Sequence, residues 1–251
     1  MSDLSKAVLA ALLMGVSLTG ARAELRLVAN PWPPYTSNDV RNGGVATEIV
    51  TMALKRAGYR AKVALVPWSR ALNGTRAGAY DLIVCAWRSG ERERDFYFSD
   101  PYVENRIVFL RKTGSTWNYG GLASLRGKRV GVIRDYAYGD AFNSSKFFER
   151  DASGDFVANV LKLVTGRVDL TLEDEFVARY EIARNLPDHQ AQVDYSATPL
   201  STNTCQSAMA RDNPQAGYII VAMNRQLAHM HSEGVIARIL GVHGLTPAAA
   251  H

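Results

Sequence analysis

The segment from Ser89 to Tyr102 reads SGERERDFYFSDPY, five charges (Glu91, Arg92, Glu93, Arg94, Asp95) set against Phe96-Tyr97-Phe98 and a Ser-Asp-Pro turn. Alternating charge is ordinarily a solvated face, whereas an aromatic block of this kind is expected to be buried. One of these arginines is therefore a candidate to face a ligand. A planar guanidinium meets a carboxylate through two parallel hydrogen bonds, which the point charge of a lysine does not. A second cluster, Glu173-Asp174-Glu175, stands where the apolar run VDLTL meets EFVARYEIARNL. Asp174 is placed to cap that helix, and a strand end meeting a helix start is also where open α/β sheets hold ligands. Trp32 lies in a Pro-rich loop that cannot easily bury it, whereas Trp87, at the end of an apolar strand, reads equally well as core or as ligand wall.

Other chemistry is missing its parts. The sequence has no G-x-S-x-G and no phosphate-binding Gly-rich loop with its lysine. His229 and His231, two apart on a helix, face different directions, which makes a metal pair improbable. The 29 basic and 24 acidic residues are dispersed, giving a net charge of +5. No clustered basic face points to nucleic acid. No cofactor is expected.

The chain opens MSDLSKAVLAALLMGVSLTGARA: Lys6, an apolar run of 14 residues from Ala7 to Gly20, then Ala21-Arg22-Ala23. This is the pattern of a secretory signal cleaved after Ala23, too short to span a bilayer, which takes about 20 residues. Residues 1–23 are thus read as a signal peptide and the product as periplasmic. Export permits a disulfide between Cys85 and Cys205, and two buried free thiols fit the apolar runs around them equally well.

The remaining residues must position these groups. ELRLVAN reads as a strand, PWPPYTSNDVRNGG as loop, VATEIVTMALKRAGY as a helix stopped by Gly58, AKVALVPW as a strand, SRALNGTRAGAY as a short helix entered through Ser69, and DLIVCAW as a buried strand. That order implies a parallel sheet with crossover helices. After the strand RIVFLRKTG, KRVGVI starts a second strand–helix alternation through YGDAFNSSKFFER, ANVLKLVTGR, VDLTLED and EFVARYEIARNL. A strand-like run beginning at Cys205, a long amphipathic finish and the tail LTPAAAH complete the chain.

Taken in order, several short motifs resemble the extracytoplasmic solute-binding proteins of the polar-amino-acid type, family 3. They are Pro34-Tyr35, Gly44 and Glu48, GAYDLIV (Gly78, Asp81), Glu91-Arg92, FSDPY (98–102), LRGKRVGV (125–132), GRVDLTLED (166–174) and the closing GVIARILG. The resemblance covers nearly all of the chain after residue 23. It implies an α/β, two-lobed type II periplasmic-binding-protein fold, with two parallel-rich sheets, flanking helices and two crossing hinge strands. Lobe one would comprise residues 24–110 and 201–245, lobe two 111–200, and 246–251 would form a flexible tail. It further implies a monomer that captures a small carboxylate-bearing ligand, an amino acid or derivative, and delivers it to an inner-membrane ABC permease.

Within that pattern Arg92 takes the ligand carboxylate and Asp174 its ammonium, while Asp169 is structural. Trp32 and Trp68 align with aromatic walls, and Trp87 stands at the same edge. Two departures matter. CAWRSGER shortens a Ser/Thr-rich carboxylate-binding segment and leaves only Ser89 to donate, and RDYAYG (134–139) replaces a small GT turn, placing Tyr136 and Tyr138 at the rim. Ala29 stands where an acid would select basic side chains, so a lysine- or arginine-specific pocket is not expected. Two rival readings share the fold. One is a periplasmic dehydratase of the prephenate or arogenate type, with Glu173 or Glu175 as acid beside Asp174; these glutamates would otherwise be solvated or cap the helix. The other is a ligand-sensing module for a membrane receptor.

Overall fold

A computed structural model describes residues 24–134, 136 and 138–245. The expected signal peptide (1–23), the expected tail (246–251) and Asp135 and Ala137 of the RDYAYG segment lie outside the described residues. The strands are β1 (Leu25–Ala29), β2 (Ala61–Leu65), β3 (Leu82–Ala86), β4 (Phe96–Phe98), β5 (Val103–Lys112), β6 (Arg129–Ile133), β7 (Glu149–Ser153), β8 (Leu170–Asp174), β9 (Val193–Tyr195) and β10 (Ser201–Ala210). The helices are α1 (Val45–Arg56), α2 (Trp68–Arg76), α3 (Gly90–Glu93), α4 (Asp140–Ser144), α5 (Phe156–Val164), α6 (Glu175–Asn185), α7 (Ala216–Ser232) and α8 (Val235–Val242). Among the described residues no helix is long and apolar enough to cross a membrane.

The strands run β2-β1-β3-β10-β5-β8-β6-β7, with β4 on β10 and β9 on β5. β1, β2 and β3 are parallel, as are β6, β7 and β8. The antiparallel pair β10–β5 joins these two portions, pairing Ser201 with Ile107 and Cys205 with Val103. The two expected parallel-rich sheets are joined along the hydrogen-bonding path through β10, which pairs with β3 on one side and β5 on the other. Each has its own apolar packing. Leu27, Val84 and Met209 pack with α1, α7 and α8, while Phe109, Val130 and Leu172 pack with Phe142 and Phe148. Cys85 of β3 and Cys205 of β10 are joined by a disulfide.

Several expectations about elements are corrected. Phe96 is buried, but Tyr97 of the same aromatic block is 39% exposed, because the block forms a short strand whose alternate side chains face opposite ways. YGDAFNSSKFFER yields only the short α4 before chain enters β7, a polar edge strand. The closing amphipathic run is broken at Gly234, whose φ of +68° a residue with a side chain rarely adopts.

Candidate functional site

Four loops leave the C-terminal ends of parallel strands β1, β3, β6 and β8, the edge where such sheets hold ligands. The loop after β1 folds tightly. Trp32 N–H donates to the Thr36 carbonyl at 2.7 Å, and Tyr35 N–H donates to the Trp32 carbonyl at 2.9 Å. Free N–H groups at the start of α1 donate to this loop, Val45 to the Pro34 carbonyl and Ala46 to the Tyr35 carbonyl, both at 3.0 Å. A Cβ on Gly44 would lie 2.5 Å from the Tyr35 carbonyl oxygen, so only glycine allows that approach. Helix and loop together fix Tyr35 with its ring stacked on Trp32, 4.4 Å between centroids.

After β3 the chain places Trp87 edge-on to Trp32, at 6.0 Å, and enters α3. Ser89 caps that short helix, its hydroxyl oxygen accepting from Arg92 N–H at 3.3 Å. The Arg92 side chain folds back: Nη1 donates to the Trp87 carbonyl at 2.7 Å, and the guanidinium lies 5.0 Å from the Trp68 ring centroid. It is half-buried, and no carboxylate among the described residues forms an ion pair with it. Burial lowers its pKa, with the Glu91 charge acting against this and Arg76 adding to it. Its neighbours behave as a solvated face: Glu93 pairs with Arg88, Asp95 with Arg76, and Arg94 is exposed.

Asp174 ends β8 and caps α6, Oδ1 accepting from the N–H groups of Phe176 at 3.0 Å and Val177 at 3.1 Å. The Tyr35 hydroxyl donates to the same carboxylate, 2.9 Å from Oδ1 and 3.1 Å from Oδ2. Asn105 of β5 completes the set, its Nδ2 donating to Oδ2 at 3.4 Å while its Oδ1 accepts from Trp87 Nε1 at 3.1 Å. Register explains the reach: Asp174 lies opposite Ile107, and Asn105, two residues earlier, shares that face. Burial pushes the Asp174 carboxyl up to about 6, against the N–H and hydroxyl donors that favour its charged form.

The adjacent Glu173 is buried too, accepting from Asp174 N–H at 2.8 Å and from the Tyr136 hydroxyl at 3.4 Å. Burial first, and the Asp174 charge beside it, push its carboxyl up to about 8. Tyr138 packs 5.1 Å from Tyr136 and accepts from Ile133 N–H through its hydroxyl. Glu175 points elsewhere, bonded to Arg106 and Arg179 at 2.8 Å each, and Asp169 holds Arg129 N–H at 2.7 Å. No group of three or more His, Cys, Asp or Glu among the described residues could hold a metal.

The sequence-derived residues thus fall into two sets. Trp32 and Trp87 join Asp174 through Tyr35 and Asn105; Trp68 and Ser89 surround Arg92, which reaches the first set through the Trp87 carbonyl. Tyr136 meets Glu173, and Tyr138 supports Tyr136 from a buried position. Sequence reasoning missed Tyr35 as a polar partner, Asn105 altogether, and Phe176, whose ring meets Tyr35 edge-on at 6.5 Å. The signal for Asn105 was a lone amide within the strand VENRIVFL.

The sequence profile of the bacterial extracellular solute-binding proteins, family 3, matches residues 25–243. The L-cystine-binding protein TcyJ of Escherichia coli K12 is 23% identical over 215 residues, 82% of this chain and 76% of that protein. Among solved structures, AbpA, an amino acid ABC transporter substrate-binding protein from Streptococcus pneumoniae bound to L-arginine, superposes with a TM-score of 0.67 at 18% identity, over 88% of this chain and 94% of that one. The GluR0 ligand-binding core of Nostoc punctiforme, in complex with L-glutamate, gives 0.68 at 14% identity, over 88% and 100%. The fold is the two-lobed type II periplasmic-binding-protein fold.

Proposed function

Because the chain belongs to the bacterial extracellular solute-binding proteins, family 3, a family of binding proteins rather than enzymes, we propose that it captures an amino acid or close derivative between its lobes for an ABC importer. The related proteins named for L-cystine and crystallised with L-arginine or L-glutamate support this ligand class. The observation that carries it is Arg92, a half-buried guanidinium without a carboxylate partner among the described residues, held by the Trp87 carbonyl and the Trp68 face. It has donors left for a ligand carboxylate, near Trp32 and Trp87, with buried Tyr35 stacked against Trp32. Asp174 supplies the anionic side for the ammonium. Lobe one comprises residues 24–110 and 201–245, lobe two 111–200, and β5 and β10 are the hinge. The protein acts as a monomer in the periplasm after cleavage following Ala23, and an inner-membrane permease takes the ligand.

A ligand that binds only the folded state raises Tm with concentration, so the test is a thermal-shift screen of residues 24–251 against amino acids and small organic acids. One class is expected to raise Tm, and Arg92→Ala to weaken its binding at least about tenfold, since removing one side of a desolvated charge pair costs about 2–5 kcal/mol. Full affinity in Arg92→Ala would sink the assignment. For Asp174 the informative change is Asp174→Asn, which removes the charge but keeps an oxygen for the helix cap. Alanine would strand the α6 N–H groups and the Tyr35 hydroxyl together.

A further inference from the structure

We propose that the hydroxyl of Tyr35 is a built-in competitor for the ligand ammonium at Asp174, which makes Tyr35 the residue that sets how strongly the cleft selects for a free amino group. The inference rests on the amino-acid reading above. A carboxylate offers about four lone-pair sites, and Asp174, wholly buried, meets four donors: Phe176 N–H, Val177 N–H, the Tyr35 hydroxyl and Asn105 Nδ2. Two of these are fixed by the start of α6, and Asn105 is anchored at its other end by Trp87. Tyr35 is the donor that reaches across: its ring is held by the loop after β1, and it meets Asp174 of β8 through its hydroxyl alone. An ammonium can therefore take that hydroxyl's place without disturbing the α6 cap. Tyr35 approaches from 139 residues away in sequence, and its one proton is placed between Oδ1 and Oδ2.

An ammonium carries three donors and a full charge, so it bonds a carboxylate more strongly than a phenol does. To do so here it must displace the phenol, and the lost bond is subtracted from its gain. A ligand with a carboxylate but no ammonium leaves the Tyr35–Asp174 bond in place and bears no such loss. The hydroxyl therefore narrows the margin between an amino acid and its des-amino analogue. Tyr35→Phe removes the competitor while the ring keeps its contacts with Trp32 and Phe176.

The test is calorimetry on wild type, Tyr35→Phe and Arg92→Ala with three pairs: L-glutamate and glutarate, L-phenylalanine and hydrocinnamate, L-cystine and dithiodipropionate. In Tyr35→Phe the affinity ratio of amino acid to analogue is expected to rise about tenfold, the worth of one hydrogen bond to a charged group. A purely structural role for the hydroxyl would change both members of a pair alike, and an unchanged ratio overturns the competitor role while leaving the binding function standing. Undiminished binding of both members by Arg92→Ala would instead remove the reading on which the inference rests. A ligand-free arm follows the Asp174 carboxyl carbon by NMR. The Tyr35 bond lowers that group's pKa, so Tyr35→Phe is expected to raise it, and an unchanged titration overturns the proposal whether or not any probe binds.

Discussion

At the residue scale, Arg92 and Glu173 differ from ordinary charged residues because each is partly or wholly withdrawn from water. In the run from Glu91 to Asp95, Arg92 is the member folded onto an aromatic face, while Glu93 and Asp95 hold exposed partners. Glu173 is the more extreme case, 2% exposed with its carboxyl near 8. Its folded pKa lies above the ordinary 4.5, so between those values the folded protein keeps a proton that the unfolded chain releases. Stability from this group is complete below about pH 4.5 and is lost as pH rises towards about 8. Asp174 contributes in the same direction between its ordinary 3.8 and about 6. Melting curves are therefore expected to show Tm falling from pH 5 to pH 8, with Glu173→Gln, which cannot ionise, flattening much of that slope. A slope as steep in Glu173→Gln as in wild type would show that the folded protein holds this carboxylate charged.

At the element scale, the join between β3 and β10 is the point where the first parallel portion of the sheet meets the antiparallel hinge pair. The disulfide spans 120 residues of sequence there. Closing a loop of that size restricts the unfolded chain by about 4–5 kcal/mol in the chain-entropy account, so Cys85→Ala/Cys205→Ala is expected to lower Tm by roughly 10 °C. A double variant melting with wild type would show that the Cys85–Cys205 bond adds nothing to the stability of the folded state. Much of the element order was legible because β3 is an apolar run, β1 and the approach to β8 are largely apolar, and α1 carries a clear helical stripe. β4, β7 and β9 were not, since a three-residue strand has no period and the polar edge strand β7 has no buried face to betray it. The disulfide was undecided in the sequence because partners so far apart are brought together only by the β3–β10 pairing.

At the scale of the whole molecule, what the sequence left hidden is the contact between the proposed lobes. Arg92, Asp174 and the tryptophans stand in short motifs and could be singled out, but that Asp174 caps α6 and also accepts from Tyr35 depends on how the two parallel portions face each other. Asn105 shows why such residues escape a linear reading: it lies on β5, between the two portions, and touches Trp87 of one and Asp174 of the other. These bonds bridge the two portions, so a ligand bound between them would have to replace bridging contacts by a stronger set. A ligand shifts such an equilibrium only by its differential affinity for the closed state. With the two native cysteines bonded to each other, spin labels can be introduced at exposed Ser69 on α2 and Ser144 on α4. The interlabel distances are expected to be distributed over closed and more open arrangements without ligand, and to collapse to one narrow, short distance with it. Asp174→Asn, which weakens both the Tyr35 bond and the ammonium site, is expected to populate the longer distances and to need more ligand to abolish them. A single unchanging distance in every case would mean that the portions are rigidly joined and that β5 and β10 are not a hinge.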